Sequence, residues 1–345
     1  AIFLGGPAAI FWMWITAFFG MTTKFVEVTL AHKYRETLPD GSISGGPMYY
    51  IENGLNMRWL AILFSICLLL MCLGTGNMPQ ISSIAVVMND TFNIPKIVTG
   101  SVLAVLLWMV IIGGIKRIAQ IASKLVPFMA FWYLVGSFAV IVSNYENIIP
   151  SLQSIFIHVF TPAAAVGGFL GASVAAALTR GVNRGLYSNE AGQGSAPIAH
   201  ASSKTENPIE EGMVSILEPF IDTIVICTIT GLVILSSGVW TEKFENKFEQ
   251  SSMCYLDGTY SDSEPEDIAV LQDYILSCSG SQAYSGKQEI VDGKLSNNAI
   301  TLMHNRSVSE NVIYSQEGSP FTGSVEIIEG KLKSPGISVK GDSLL

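Results

Sequence analysis

Two carboxylates one helical turn apart carry the clearest chemistry in this chain. Glu218 and Asp222 stand in the stretch Glu218-Pro219-Phe220-Ile221-Asp222-Thr223, inside an apolar run. At i and i+4 they share one helix face. An Asp at the centre of a bilayer-spanning helix costs about 3 kcal/mol on insertion scales, so such an acid needs a partner. One reading gives Asp222 a cation, with the Thr223 hydroxyl beside it. The other makes the acids structural, with Glu218 paired to Arg180 or Arg184. Spacing does not choose between them.

Other polar groups interrupt apolar sequence. Gly74-Thr75-Gly76-Asn77-Met78-Pro79-Gln80 places Asn77 and Gln80 three apart, on one face of a continuing helix, where they could hydrogen-bond a small polar solute. The alternative is a proline kink whose freed carbonyl is satisfied by Asn77. Further on, PAAAVGGFLGASVAAAL sets Gly167, Gly168 and Gly171 into an alanine-rich run. Small residues permit close helix packing in membranes. Adjacent glycines also favour a broken helix, whose free backbone amides and carbonyls can meet a ligand. Lys24 and Glu27 lie within one turn and can pair with each other. His158 and His200 have no second His or Cys at metal spacing, so no metal site is expected. Cys67, Cys72 and Cys227 lie in apolar segments and behave as small hydrophobes.

The elements that must position these groups are apolar spans. Hydrophobic residues make up 49% of the chain and charged residues 14%, against about 25% charged in ordinary soluble domains. Six segments stand out: 2–31, 60–88, 97–113, 118–142, about 152–179, and 213–240. Most reach the roughly 20 apolar residues that a spanning helix needs. Trp12 and Trp14 suit an interfacial aromatic belt. If the first span runs inward, the loops on the inner side carry nine Lys and Arg and the short outer loops only Lys96, which satisfies the positive-inside rule. Without an initiating methionine, basic n-region or cleavage site ahead of it, the first span reads as the continuation of a longer chain.

Charge divides the chain once more. Residues 1–240 carry 11 Lys and Arg against 12 Asp and Glu, whereas residues 241–345 carry 8 against 16. We therefore expect a transmembrane core over 1–240 and an acidic insert over 241–345, outside the membrane. Enzyme signatures are lacking: no G-x-S-x-G, P-loop or H-E-x-x-H occurs. A sequence pI near 5.0 argues against nucleic acid as a partner.

Three blocks converge on one family. GGPAAIFWMWITAFFGMTTKFVEVTLAHKYR with GGPMYYIENGL, then GLYSNEAGQGSAPIAHA, then EPFIDTIVICTITGLVI resemble the alanine or glycine:cation symporters, the sodium:alanine symporter family. The resemblance covers essentially all of residues 1–240. It implies an all-α, multi-span, leucine-transporter-like fold of two inverted repeats, present in part. The six segments would be the family's second through seventh spans, with the first span and those after the seventh lacking.

The resemblance also implies sodium-driven, or proton-driven, uptake of alanine or glycine through a bacterial inner membrane by alternating access. Its partners would be the amino acid, sodium and the lipid bilayer, with no cofactor beyond the coupling ion. The glycine-broken segment would begin the second repeat. Substrate contact is then expected at Gly167, Gly168, Phe169 and Thr161, with Asn77 and Gln80 opposite, and ion coupling at Asp222 and Thr223. A channel or non-transporting receptor, binding a partner through the acidic outer region, is the alternative. That outer region departs from the family pattern. It reads as short strands, as at Ser324-Val325-Glu326-Ile327-Ile328, or as disorder, and a Cys254–Cys278 disulfide is expected there.

Overall fold

The computed structural model of the chain describes residues 1–39, 41–74, 78–160, 174–262, 264, 267–268, 270–271, 283–296, 299–304, 307–316, 318–334 and 336–344. Helices come first: α1 (Ile2–Gly5), α2 (Ala8–Lys33), α3 (Pro47–Leu55), α4 (Arg58–Gly74), α5 (Met78–Phe92), α6 (Lys96–Ile111) and α7 (Gly114–Ser143). They continue with α8 (Ile148–Ile157), α9 (Val174–Asn189), α10 (Ser195–Ala201), α11 (Pro208–Ser215), α12 (Leu217–Pro219) and α13 (Cys227–Ser237). A small hairpin, β1 (Glu36–Thr37) with β2 (Ile43–Ser44), follows α2.

Among the described residues, four stretches are long and apolar enough to cross a bilayer: Ala8–Lys33, Arg58–Phe92, Arg117–Ser143 and Pro208–Ser237. α6 is a shorter apolar helix. Leu69, Leu70, Trp108, Phe131, Trp132 and Phe138 are exposed on α4, α6 and α7. Large apolar side chains turned outward along whole helices are what lipid stabilises and water does not. This is a membrane protein. Of the expected fifth segment, α8 and the start of α9 are helical, and residues 161–173 lie outside the described residues.

Local sequence explains several helix ends. α3 starts on Pro47 at its first position, where a missing amide hydrogen is harmless, and stops at Asn56 in the left-handed region. α11 is capped by Asn207, whose side chain accepts from the Ile209 amide at 3.1 Å, with Pro208 next and Glu210 and Glu211 in the first turn. After Pro219 the backbone widens into a π-helical stretch, Phe220–Ile226, before α13 resumes. Proline removes one ladder hydrogen bond, and π turns of this kind often re-aim a side chain at a functional site.

The chain divides into two compact units: Ala1–Ala17 with Val140–Ser188 and Asp222–Leu345, and Phe18–Ala139 with Asn189–Ile221. In the first, α9 lies against the start of the chain through Gly181 and Gly185. A Cβ on Gly181 would stand 2.5 Å from the Ala9 carbonyl oxygen, and one on Gly185 2.9 Å from Thr16 Cβ. Glycines four apart are a recurrent membrane packing face. In the second unit, α3 packs on α4 and α5 on α6.

Strands fill the acidic stretch. They are β3 (Phe244–Phe248), β4 (Met253–Asp257), β5 (Gly286–Val291), β6 (Lys294–Leu295), β7 (Ile300–His304) and β8 (Ser307–Val308). β9 (Glu310–Gln316), β10 (Ser319–Pro320), β11 (Gly323–Ile328), β12 (Lys331–Leu332) and β13 (Ile337–Ser343) complete them. Three antiparallel sheets result, ordered β10-β9-β13-β3, β12-β11-β5-β6 and β4-β7-β8. Cys254, Leu256 and Met303 pack in a second cluster with Ile268 and Leu271, while Met253, Tyr255, Ile290, Leu302, Tyr314, Val325, Ile327 and Val339 form the main core. Disorder, one of the two expectations for this stretch, does not hold for its described residues.

This core is built from two copies of one motif. Glu289-Ile290-Val291-Asp292-Gly293-Lys294-Leu295 matches Glu326-Ile327-Ile328-Glu329-Gly330-Lys331-Leu332. Each Asp-Gly or Glu-Gly pair has positive φ at both residues, 50° and 74° in one copy and 48° and 71° in the other. That is the geometry of a two-residue type I′ hairpin. Hydrogen bonds repeat as well. The Tyr255 amide donates to the Gly330 carbonyl at 2.9 Å, and the Tyr314 amide to the Gly293 carbonyl at 2.8 Å. Tyr255 pairs with Leu302, and Tyr314 with the corresponding Val339. The two tyrosine hydroxyls meet in the middle at 3.1 Å.

Candidate functional site

Asp222 lies in the π-helical stretch, and its Oδ2 accepts hydrogen bonds from the Ser188 hydroxyl of α9 and from Thr223 Oγ1 at 3.2 Å. Cys227 Sγ is 3.4 Å from the same serine oxygen. Thr223 is fully buried. One carboxylate and two hydroxyls are hard oxygen donors of the type that suits sodium. The i, i+4 spacing with Glu218 gave no hint of Ser188. Asp222 stands within the π-helical stretch Phe220–Ile226, where the regular i, i+4 register no longer applies.

Glu218 belongs to a different cluster. Its Oε2 is 3.1 Å from Lys24 Nζ and 3.6 Å from His200 Nε2. Its partners thus come from α2 and α10, where sequence spacing leaves pairing with Arg180 or Arg184 as one of two alternatives. The expected Lys24–Glu27 pair is likewise not the bond formed. Lys24 reaches Glu218 and donates to the Asn189 carbonyl at 3.0 Å, whereas Glu27 Oε2 accepts from the Gly192 amide at 3.1 Å. Lys24 is fully buried, so its charge needs both partners.

These contacts fasten the segment Asn189-Glu190-Ala191-Gly192-Gln193-Gly194-Ser195 to α2. Asn189 Oδ1 accepts from the Ala191 amide at 3.0 Å, and Ser195 Oγ donates to Glu190 Oε2 at 2.6 Å. Arg35 then donates to the carbonyls of Ala201, Ser203 and Thr205 at 3.1, 2.8 and 3.0 Å, which neutralises the end of α10. His200 Nδ1 is 2.6 Å from Glu211 Oε1. Glu218 on one side and Glu211 on the other hold the His200 imidazole above its ordinary pKa, against the lowering effect of burial.

Of the expected substrate contacts, Gln80 is exposed on α5. Asn77, Thr161, Gly167, Gly168 and Phe169 lie outside the described residues. Cys254 is buried on β4, and its expected partner Cys278 also lies outside them. Among the described residues no three His, Cys, Asp or Glu side chains form a metal-binding group.

Apolar helices long enough to span a bilayer, with a buried lysine held by one acid and a backbone carbonyl, define a helical membrane protein. Residues 1–259 match the sodium:alanine symporter family, and the chain belongs to it. That family consists of transporters, not enzymes. Among curated relatives, an uncharacterized transporter of Haemophilus influenzae is 46% identical over 241 residues, covering 70% of this chain and 53% of the relative. The sodium/alanine symporter AgcS of Methanococcus maripaludis is 44% identical over 243 residues, covering 69% and 53%. A Bacillus subtilis protein named as a probable sodium/glutamine symporter, GlnT, is 40% identical over 240 residues, covering 70% and 49%. The chain spans about half the length of these relatives.

Proposed function

We propose that this protein is a cation-coupled symporter that carries alanine or glycine with sodium by alternating access, on a leucine-transporter-like inverted-repeat fold in a bacterial inner membrane. The family match over residues 1–259 is the observation that carries this reading. The name of the relative AgcS favours alanine and that of GlnT admits a larger amide, so substrate size is the property to measure.

For the coupling ion, Asp222 and Thr223 are the proposed ligands, and Ser188 joins them. Each brings an oxygen to one place. For the substrate, the proposed contacts are Gly167, Gly168, Phe169 and Thr161, with Asn77 and Gln80 opposite. Backbone amides freed at a helix break attract a carboxylate, and small residues there exclude long side chains. The loop charges orient the 241–345 region outward.

Uptake of labelled alanine into proteoliposomes under an imposed sodium gradient tests this. Accumulation that collapses with the gradient, and competition by glycine but not glutamine, is the expected result. Uptake indifferent to both sodium and proton gradients rejects the coupling.

A further inference from the structure

The transport reading leaves the charged cluster around His200 unassigned. We propose that His200, clamped between Glu211 and Glu218, is a proton-operated latch that fastens the 189–218 connection onto α2 through Lys24. The proposal rests on the symport reading only for its consequence, which is regulation of transport by pH.

Geometry carries it. Both ring nitrogens face carboxylates: Nδ1 is 2.6 Å from Glu211 Oε1 and Nε2 is 3.6 Å from Glu218 Oε2. A neutral imidazole has one N–H and one lone pair, whereas the imidazolium has two N–H donors. Only the protonated ring therefore satisfies both acids. Loss of the proton points a lone pair at one anion, and one of the two attractions becomes a repulsion.

The effect reaches α2 because Glu218 Oε2 is shared. It lies against His200 on one side and Lys24 on the other, and Lys24 in turn holds the Asn189 carbonyl. Neighbouring charges keep the proton in place. From α2, Glu27 adds a negative charge near His200, while Lys24 and Arg35 are positive and His32 lies toward Glu211 and Arg35. In the connection itself, Glu210 is occupied by Thr205 and Asn207. The two carboxylates on the ring outweigh its burial.

The sign follows from linkage. His200 has a raised pKa in the folded state. Its contribution is therefore complete below the ordinary histidine pKa of 6.5 and is lost as pH rises through the higher folded value. The latch closes in acid and loosens in base.

Amide hydrogen exchange of the chain in lipid nanodiscs reads this directly. After correction for intrinsic rates, protection at residues 190–205 should fall severalfold between about pH 6 and about pH 9. His200→Gln should abolish that pH dependence. Glu211→Gln, which keeps the ring, should move the midpoint to lower pH. A flat wild-type profile, or an unchanged profile in His200→Gln, overturns the latch. Exchange needs no transport, so that failure leaves the symporter reading intact. Lost sodium dependence with a normal exchange profile does the reverse.

Discussion

Lys24 Nζ lies 3.1 Å from Glu218 Oε2, with the lysine side chain wholly buried and 38% of the glutamate side chain exposed. The two halves of this ion pair are therefore unequal. Glu218→Gln strands a buried ammonium, at the lower end of the about 3–5 kcal/mol that breaking a buried pair costs, since the glutamate is partly wet. Lys24→Met leaves an acid that water can still reach, and costs less. Thermal melting of both variants in detergent checks the order, and equal losses would count against burial as the cause.

Tyr255 and Tyr314 hydrogen-bond through their hydroxyls in the strand core, and neither side chain is exposed. Burial pushes the Tyr255 phenol up to about 12 and raises the Tyr314 phenol well above its ordinary value. Either Phe substitution leaves the other hydroxyl without its partner, at about 1–3 kcal/mol. The double Phe variant should lose less than the sum of the two. Denaturant midpoints of the three variants close this cycle, and strict additivity would refute the pairing.

His304 stacks on Phe248 at 4.1 Å between ring centroids, and its Nδ1 lies 2.7 Å from Ser343 Oγ. Burial lowers its pKa to about 4. Unfolded chains protonate this ring near 6.5, so between 6.5 and about 4 the unfolded state gains a proton that the folded state refuses. The strand-rich region is thus expected to lose stability as pH falls through that window, and His304→Gln should flatten the loss. Exchange protection of the Tyr255 and Tyr314 amides across that range is the measurement.

Asp222→Asn keeps the shape of the Ser188 and Thr223 contacts and removes the charge. On the proposed role, the sodium concentration for half-maximal uptake rises at least about tenfold, which is about 1.4 kcal/mol, with the amino-acid affinity at saturating sodium little changed. Sodium titration of uptake decides it, and an unaltered sodium curve removes Asp222 from the ion site.

Much of this was written plainly in the chain. Long apolar runs declared the spans, because bilayer thickness fixes their length. The expectation of strands after residue 241 came from alternation at Ser324–Ile328, and β11 occupies that stretch. The partners of the acids were not legible. Glu218 faces Lys24 and His200 across long sequence separations, and helix spacing informs only about neighbours within a turn or two. Two signals were present and passed over. Gly181 and Gly185 stand at a membrane packing spacing, just beyond the glycines that drew attention. The copies around Asp292-Gly293 and Glu329-Gly330 carry hairpin turns that a search for internal repeats exposes.

That doubling has a mechanical outcome. Each tyrosine strand is finished by the opposite copy's turn, Tyr255 by Gly330 and Tyr314 by Gly293, so the halves are hooked through one another. A nick or deletion in either half should therefore loosen both. The halves also differ in chain length between equivalent backbone bonds: 28 residues separate Tyr255 from Tyr284, and six separate Tyr314 from Phe321.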